Sequence, residues 1–129
     1  MKLERFKTPI LFLVFNRPEK TQLVFEAIRK IQPLNLFIAA DGPRSHIEGE
    51  YEHCRQTREI VTQIDWDCKP CFLFRESNLG CGPAVSSAIN WFFKQNEMGI
   101  ILEDDCLPNS SFFHYCEELL KHYQNDERI

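Results

Sequence analysis

Four continuous apolar runs, each closed by a polar cluster, constrain this chain more than any other feature: Ile10–Phe15, Leu36–Ala40, Cys71–Phe74 and Ile100–Leu102. A run that is apolar at every position, not every second one, marks a strand covered on both faces. The segments between the runs carry helical spacing. Pro18 stands at a first helical position, Leu23 or Val24, Ala27, Ile28 and Ile31 recur behind it, and Gln32-Pro33 ends the helix. A second helix is expected over about 48–63, with Tyr51, Cys54, Ile60, Val61 and Ile64 inward and 65–70 as a connector. A third should place Val85, Ala88, Ile89 and Phe92 inward. The last should begin near Asn109 or Ser110, with Phe112, Phe113, Cys116, Leu119, Leu120 and Tyr123 on its core face, and 125–129 reads as frayed or cut short. Strands alternating with helices imply parallel pairing through right-handed crossovers. The expected fold class is therefore α/β, a three-layer sandwich with a mostly parallel sheet, formed by residues 1–129 as a single domain.

In such sheets ligands bind beyond the carboxyl ends of the strands. The polar clusters fall at those ends: Asn16-Arg17, Asp41-Gly42, the segment from Arg75 to Gly82, and Glu103-Asp104-Asp105. The topology should bring all four to one edge. The last cluster is the most telling, because three adjacent carboxylates repel one another unless a cation or donor-rich ligand neutralises them. Oxygen donors without His or Cys favour Mn²⁺ or Mg²⁺ over Zn²⁺. An ion held by one or two carboxylates commonly has a phosphate on its other side. Acids also suit a helix entry, which is the structural alternative.

Composition narrows the partners. The net charge of −4 argues against a nucleic-acid surface, which is normally basic, while a metal-neutralised nucleotide remains compatible. No segment is long and apolar enough to span a membrane, and the charged start Met1–Arg5 leads into no export signal. The expected location is cytoplasmic, with peripheral membrane attachment left open. The six cysteines are then expected as thiols. Cys68 and Cys71 have CxxC spacing but precede a strand and lack a second ligand pair, so buried or idle thiols are expected.

The other clusters each allow two readings. Arg17 can pair with a diphosphate or stack on a base, or it can simply belong to a polar cap before Pro18. Asp41 can accept from a base N–H or a ribose hydroxyl, and it can equally form the turn before Gly42-Pro43. Asn78-Leu79-Gly80-Cys81-Gly82 can bring backbone N–H groups close to a ligand, although it has neither a P-loop Lys-Ser/Thr nor a dinucleotide fingerprint.

Together, Pro9–Arg17, Ala39-Ala40-Asp41-Gly42, Asn78-Leu79-Gly80 and Ile101-Leu102-Glu103-Asp104-Asp105 resemble the nucleotide-binding half of GT-A glycosyltransferases, the nucleotide-diphospho-sugar transferase superfamily. The acidic motif, followed by Phe112-Phe113, is similar to that of the N-acetylglucosaminyltransferase I type. The resemblance implies a Rossmann-like half of a GT-A fold with strand order 3-2-1-4. It implies that Asp105 holds Mn²⁺ or Mg²⁺, that Glu103 faces the ribose and that Asp104 lies near the donor sugar. Asp104 and Asp105 would be the catalytic pair. Phe15, Asn16 and Arg17 would open the nucleotide pocket, Asp41 would recognise the base, commonly uracil, and Asn78 and Gly80 would complete the donor site. The implied reaction transfers a sugar from a nucleotide-diphospho-sugar to a hydroxyl of a glycan, lipid or protein acceptor.

The family's further strands, which bind acceptor, are not in this sequence, so the expectation is the N-terminal portion of a longer, here truncated, domain. An open sheet edge then offers a route to homo-oligomers. The alternatives are a non-catalytic nucleotide-binding or interaction module and a metal-dependent nucleotidyltransferase. Against the latter, Asn16-Arg17-Pro18-Glu19-Lys20 has no glycine.

Overall fold

The computed structural model describes residues 5–123. The expected frayed segment 125–129 lies outside them. Eight elements alternate along the chain: β1 (Ile10–Val14), α1 (Pro18–Ile31), β2 (Asn35–Ala40), α2 (Glu50–Val61), β3 (Lys69–Phe74), α3 (Cys81–Phe93), β4 (Ile100–Glu103) and α4 (Ser110–Tyr123). The sheet is all parallel, with order β3-β2-β1-β4. Register aligns Leu13 with Ala39 and with Glu103, and Ala40 with Phe74, so all four strands end near one edge.

Right-handed crossovers fix which face each helix covers. The chain steps from β1 to β2 to β3 in one direction, which lays α1 and α2 on one face. It then jumps back past β1 to β4, which reverses the direction and lays α3 on the other face. The first face buries Phe12, Phe25, Ile28, Ile38, Val61 and Phe113, drawn from α1, α2 and α4 as well as the strands. The second is a smaller core of Leu11, Phe37, Ala39, Ala88 and Phe92. Phe92 stands edge-on to Phe37 with ring centroids 5.1 Å apart, a favourable aromatic geometry.

Five elements differ in detail from the sequence expectations. β1 closes at Val14, so Phe15 leaves the strand and turns half-buried into the loop beyond it. β3 begins at Lys69, where Lys69 and Pro70 register with Asn35 and Leu36. An edge strand tolerates the missing proline N–H. α2 is buried along Glu50, Cys54, Thr57 and Val61, whereas Tyr51 is 72% exposed. In α1, Thr21, Val24, Phe25 and Ile28 turn inward and Leu23 turns out, while in α4 Phe113 is buried and Phe112 and Leu119 are exposed. In each helix the true stripe includes or sits beside a residue that hydropathy alone ranks wrongly. Cys68 packs toward the first core and Cys71 toward the second. Residues i and i+3 of an extended chain face opposite sides, so the two thiols cannot act as a pair, and both are free.

Among the described residues no helix is long and apolar enough to cross a membrane.

Candidate functional site

A cavity of about 430 Å³ opens at the carboxyl ends of the strands. That volume lies in the range of small-molecule sites. Phe15, Asn16 and Arg17 line it from the loop after β1, Asp41 from the end of β2, Asn78 and Gly80 from the loop before α3, and Glu103, Asp104 and Asp105 from the end of β4. The structure therefore gathers all nine expected residues around one space. It adds Arg44, Arg75 and Cys81 to the walls.

Asp41 and Asn78 clasp two loops together. Asp41 Oδ1 accepts the backbone N–H of Gly42 at 2.8 Å and of Leu79 at 2.9 Å, and Oδ2 accepts Asn78 Nδ2 at 3.0 Å. Asn78 Nδ2 also donates to the Gly42 carbonyl at 2.8 Å, and its Oδ1 accepts the Gly80 N–H at 3.1 Å. An ionised carboxylate offers about four acceptor directions, and three of Asp41's are filled. The turn-forming reading of Asp41 is thus realised, and its capacity for a ligand is reduced to what remains. The loops meet so closely that a Cβ on Gly42 would stand 2.5 Å from the Ser77 carbonyl carbon. Gly80 has φ of 88° as it turns the chain into α3, a conformation that suits glycine.

A second cluster rests on Glu50, which is 2% exposed at the start of α2. Its carboxylate accepts the Arg44 backbone N–H at 2.7 Å, Arg44 Nη2 at 2.6 Å and Asn16 Nδ2 at 2.9 Å. The Arg44 guanidinium lies 5.9 Å from the Phe15 ring centroid, within cation–π range. Hydrogen bonding from Arg44 holds the Glu50 carboxyl well below its ordinary value of 4.5, at about 2, against the opposing effect of burial. Asn16 therefore has one of its two amide N–H donors committed within the protein. Arg17 is the N-cap residue of α1, as the cap reading expects, and its carbonyl accepts the Thr21 N–H at 2.9 Å, but no side chain caps the helix.

The third cluster differs in kind. Among the described residues Glu103, Asp104 and Asp105 enter no ion pair. Burial pushes the Asp104 carboxyl above its ordinary range, Arg17 opposes the shift, and Asp105 and Glu103 add to it. Asp105 accepts only a long contact of 3.6 Å from Cys106 Sγ. Three carboxylate side chains at a cavity edge with no ion-pair partner among the described residues are hard oxygen donors, the ligand type of Mg²⁺ and Mn²⁺. Among the described residues no group of three or more His, Cys, Asp or Glu is arranged to hold a metal. A cation here would need a ligand's phosphate as well as these acids, because the acids alone form no all-protein cage.

Sequence reasoning passed over Glu50, Arg44 and Arg58. Glu50 reads as an ordinary acid at a helix start, and nothing in the spacing of Arg44 or Arg58 sets them apart. Arg75 had a usable signal, since it follows β3 as Asn16 nearly follows β1. Its Nη2 donates to Ser87 Oγ at 3.2 Å.

Comparisons with protein-family models, curated proteins and solved structures give no match to this chain.

Proposed function

We propose that this chain is the donor-binding portion of a GT-A-type glycosyltransferase, holding a nucleotide-diphospho-sugar, with a uridine nucleotide favoured by the resemblance, together with Mn²⁺ or Mg²⁺. One observation carries the reading. Carboxylates with no ion-pair partner among the described residues line, together with Arg17, Arg44 and Arg75, a single space at the carboxyl edge of a parallel sheet, where the residues of the resemblance also lie. In this reading the fold is the Rossmann-like half of a GT-A domain.

Asp105 would hold the cation, with Glu103 and Asp104 beside it. The cation would supply charge neutralisation for a departing nucleoside diphosphate. The protein's own residues bind and orient. Arg17 lines the same cavity as the acids and its charge pulls the Asp104 carboxyl down, so a phosphate bound in that cavity would also meet a guanidinium. Arg44 is held against Phe15 by Glu50 and so presents a flat, charged surface to a ligand in the cavity. Asp104, raised by burial, sits where a sugar hydroxyl can exchange hydrogen bonds with it.

Titration calorimetry with UDP, GDP and their sugar conjugates, with and without Mn²⁺, tests the reading. The expected result is Mn²⁺-dependent binding of one nucleotide, weakened at least about 100-fold in Asp105→Ala, the scale of a lost charge-assisted ligand contact. Binding that ignores both the metal and the substitution would instead support a non-catalytic nucleotide-binding module. Binding of none of these ligands removes the proposal.

A further inference from the structure

Arg58 lies on α2 and does not line the cavity, yet it holds two residues that do. Its Nη2 donates to the carbonyl oxygen of Asp41 at 3.2 Å and to that of Arg75. These are the first residues beyond β2 and β3, which are neighbours in the sheet. The guanidinium also sits 5.0 Å from the Phe74 ring centroid. Among the described residues Arg58 enters no ion pair, and its Nε is buried without an acceptor. A partly buried, unpaired charge with an orphan donor is a cost to stability. An apolar side chain of similar length would cover Phe74 without that cost. Packing therefore gives no reason for an arginine here, whereas bridging two strand ends does.

What the bridge fixes is the β2–β3 side of the cavity. Asp41 carries the clasp to Asn78, Leu79 and Gly42. Arg75 is anchored at its amide by the Ala40 carbonyl at 2.9 Å, at its carbonyl by Arg58 and at its guanidinium by Ser87. Arg75 itself has no carboxylate partner among the described residues, so its remaining donors are available to a ligand. Neighbouring strands lie about 4.8 Å apart, which puts the β3 end roughly 14 Å from the acids of β4. A ligand neutralising both ends must be elongated.

We propose that Arg58 is a positioning residue: it sets the separation of Asp41 and Arg75 and so presents the Arg75 guanidinium to the end of the ligand remote from the acids. The ligand assignment rests on the donor-binding reading above, but the positioning role can be measured without any ligand.

The test uses the full chain as wild type, Arg58→Met and Arg58→Lys. Amide hydrogen exchange, read by NMR, follows Gly42 and Leu79, whose N–H groups donate to Asp41. In Arg58→Met both should exchange at least tenfold faster, with core amides of β1 and α1 unchanged. Arg58→Lys, which keeps a charged donor, should restore most of the protection. Unchanged exchange at Gly42 and Leu79 would overturn the proposal, as would an equal rise across all amides, which marks general destabilisation.

Calorimetry with UDP and Mn²⁺ then asks about the ligand. Wild-type binding weakened about tenfold in Arg58→Met and regained in Arg58→Lys supports the whole proposal. Selective exchange changes in a protein that binds no nucleotide would leave the positioning role standing and remove the donor reading. Nucleotide binding untouched by Arg58→Met would overturn the presentation of Arg75 while leaving the donor reading intact.

Discussion

Two sets of carboxylates stand at the same edge of the sheet and behave in opposite ways. Asp41 and Glu50 are engaged by protein donors: backbone N–H groups and Asn78 for the first, Arg44 and Asn16 for the second. Glu103, Asp104 and Asp105 have no cationic partner within ion-pair distance among the described residues. The first set joins loops that local sequence cannot hold in place, and its charge is already satisfied. The second keeps its charge unpaired by any protein cation within ion-pair distance among the described residues. Under the proposed function, the difference separates residues that build a pocket from residues that would use it, a distinction that residue type alone does not make.

The sharpest way to break this comparison is to remove one acid from each set. Asp41→Ala strips two backbone N–H groups and the Asn78 amide of their acceptor and is expected to cost about 1–3 kcal/mol. Asp105→Ala removes no short hydrogen bond and should leave the unfolding free energy from chemical denaturation within about 0.5 kcal/mol of wild type. Equal losses in urea melts would erase the distinction between builder and user.

Much of the frame was legible beforehand. Continuous runs such as Ile10–Val14 and Leu36–Ala40 must be covered on both faces, and that alone requires parallel strands with helices on each side. The gathering of Arg17, Asp41, Asn78 and Asp105 followed from topology, because parallel strands all end at one edge. Other features rest on long-range contacts that no local pattern encodes. Glu50 is buried at 2% exposure because Arg44 and Asn16 converge on it from two loops, and hydropathy ranks such a residue as exposed. The same blindness placed Tyr51 in the α2 stripe. Asp41 looked equally suited to turn and ligand, and only the position of Leu79, far along the chain, decides how its oxygens are spent.

Acid titration sharpens the contrast further. Arg44 holds the folded-state Glu50 carboxyl at about 2, below its ordinary value of 4.5. A depressed acid contributes stability that is fully present above the ordinary value and is lost as pH falls toward the folded one. The pairing should therefore weaken between about pH 4.5 and 2. Glu52, paired on the surface with Arg55, titrates in the same range, so wild type alone does not isolate Glu50. The difference in melting temperature between wild type and Glu50→Gln does. It should be largest near neutrality, favour the wild type, and shrink as pH drops through that window. A constant difference would show that the Glu50 charge contributes nothing to the loop junction.

The smallest expected effect has the opposite sign. Burial, with repulsion from Asp105 and Glu103, raises the Asp104 carboxyl above its ordinary value of 3.8, while Arg17 pulls it down. The folded state then binds this proton more tightly than the unfolded chain, so ionising Asp104 is a cost to folding that appears as pH rises. Asp104→Asn removes the cost and should raise the melting temperature at pH 7 by about 1–3 °C, a modest figure because the group is partly solvated. The gain should vanish below pH 3.8, where the wild-type carboxyl is protonated in both states. Excess Mn²⁺ with UDP should stabilise the wild type more than the variant, because a bound cation relieves the repulsion that the substitution has already removed. A loss of stability in Asp104→Asn at pH 7 would place Asp104 among the builders with Asp41 and Glu50, and the line between the two sets would have to be drawn elsewhere.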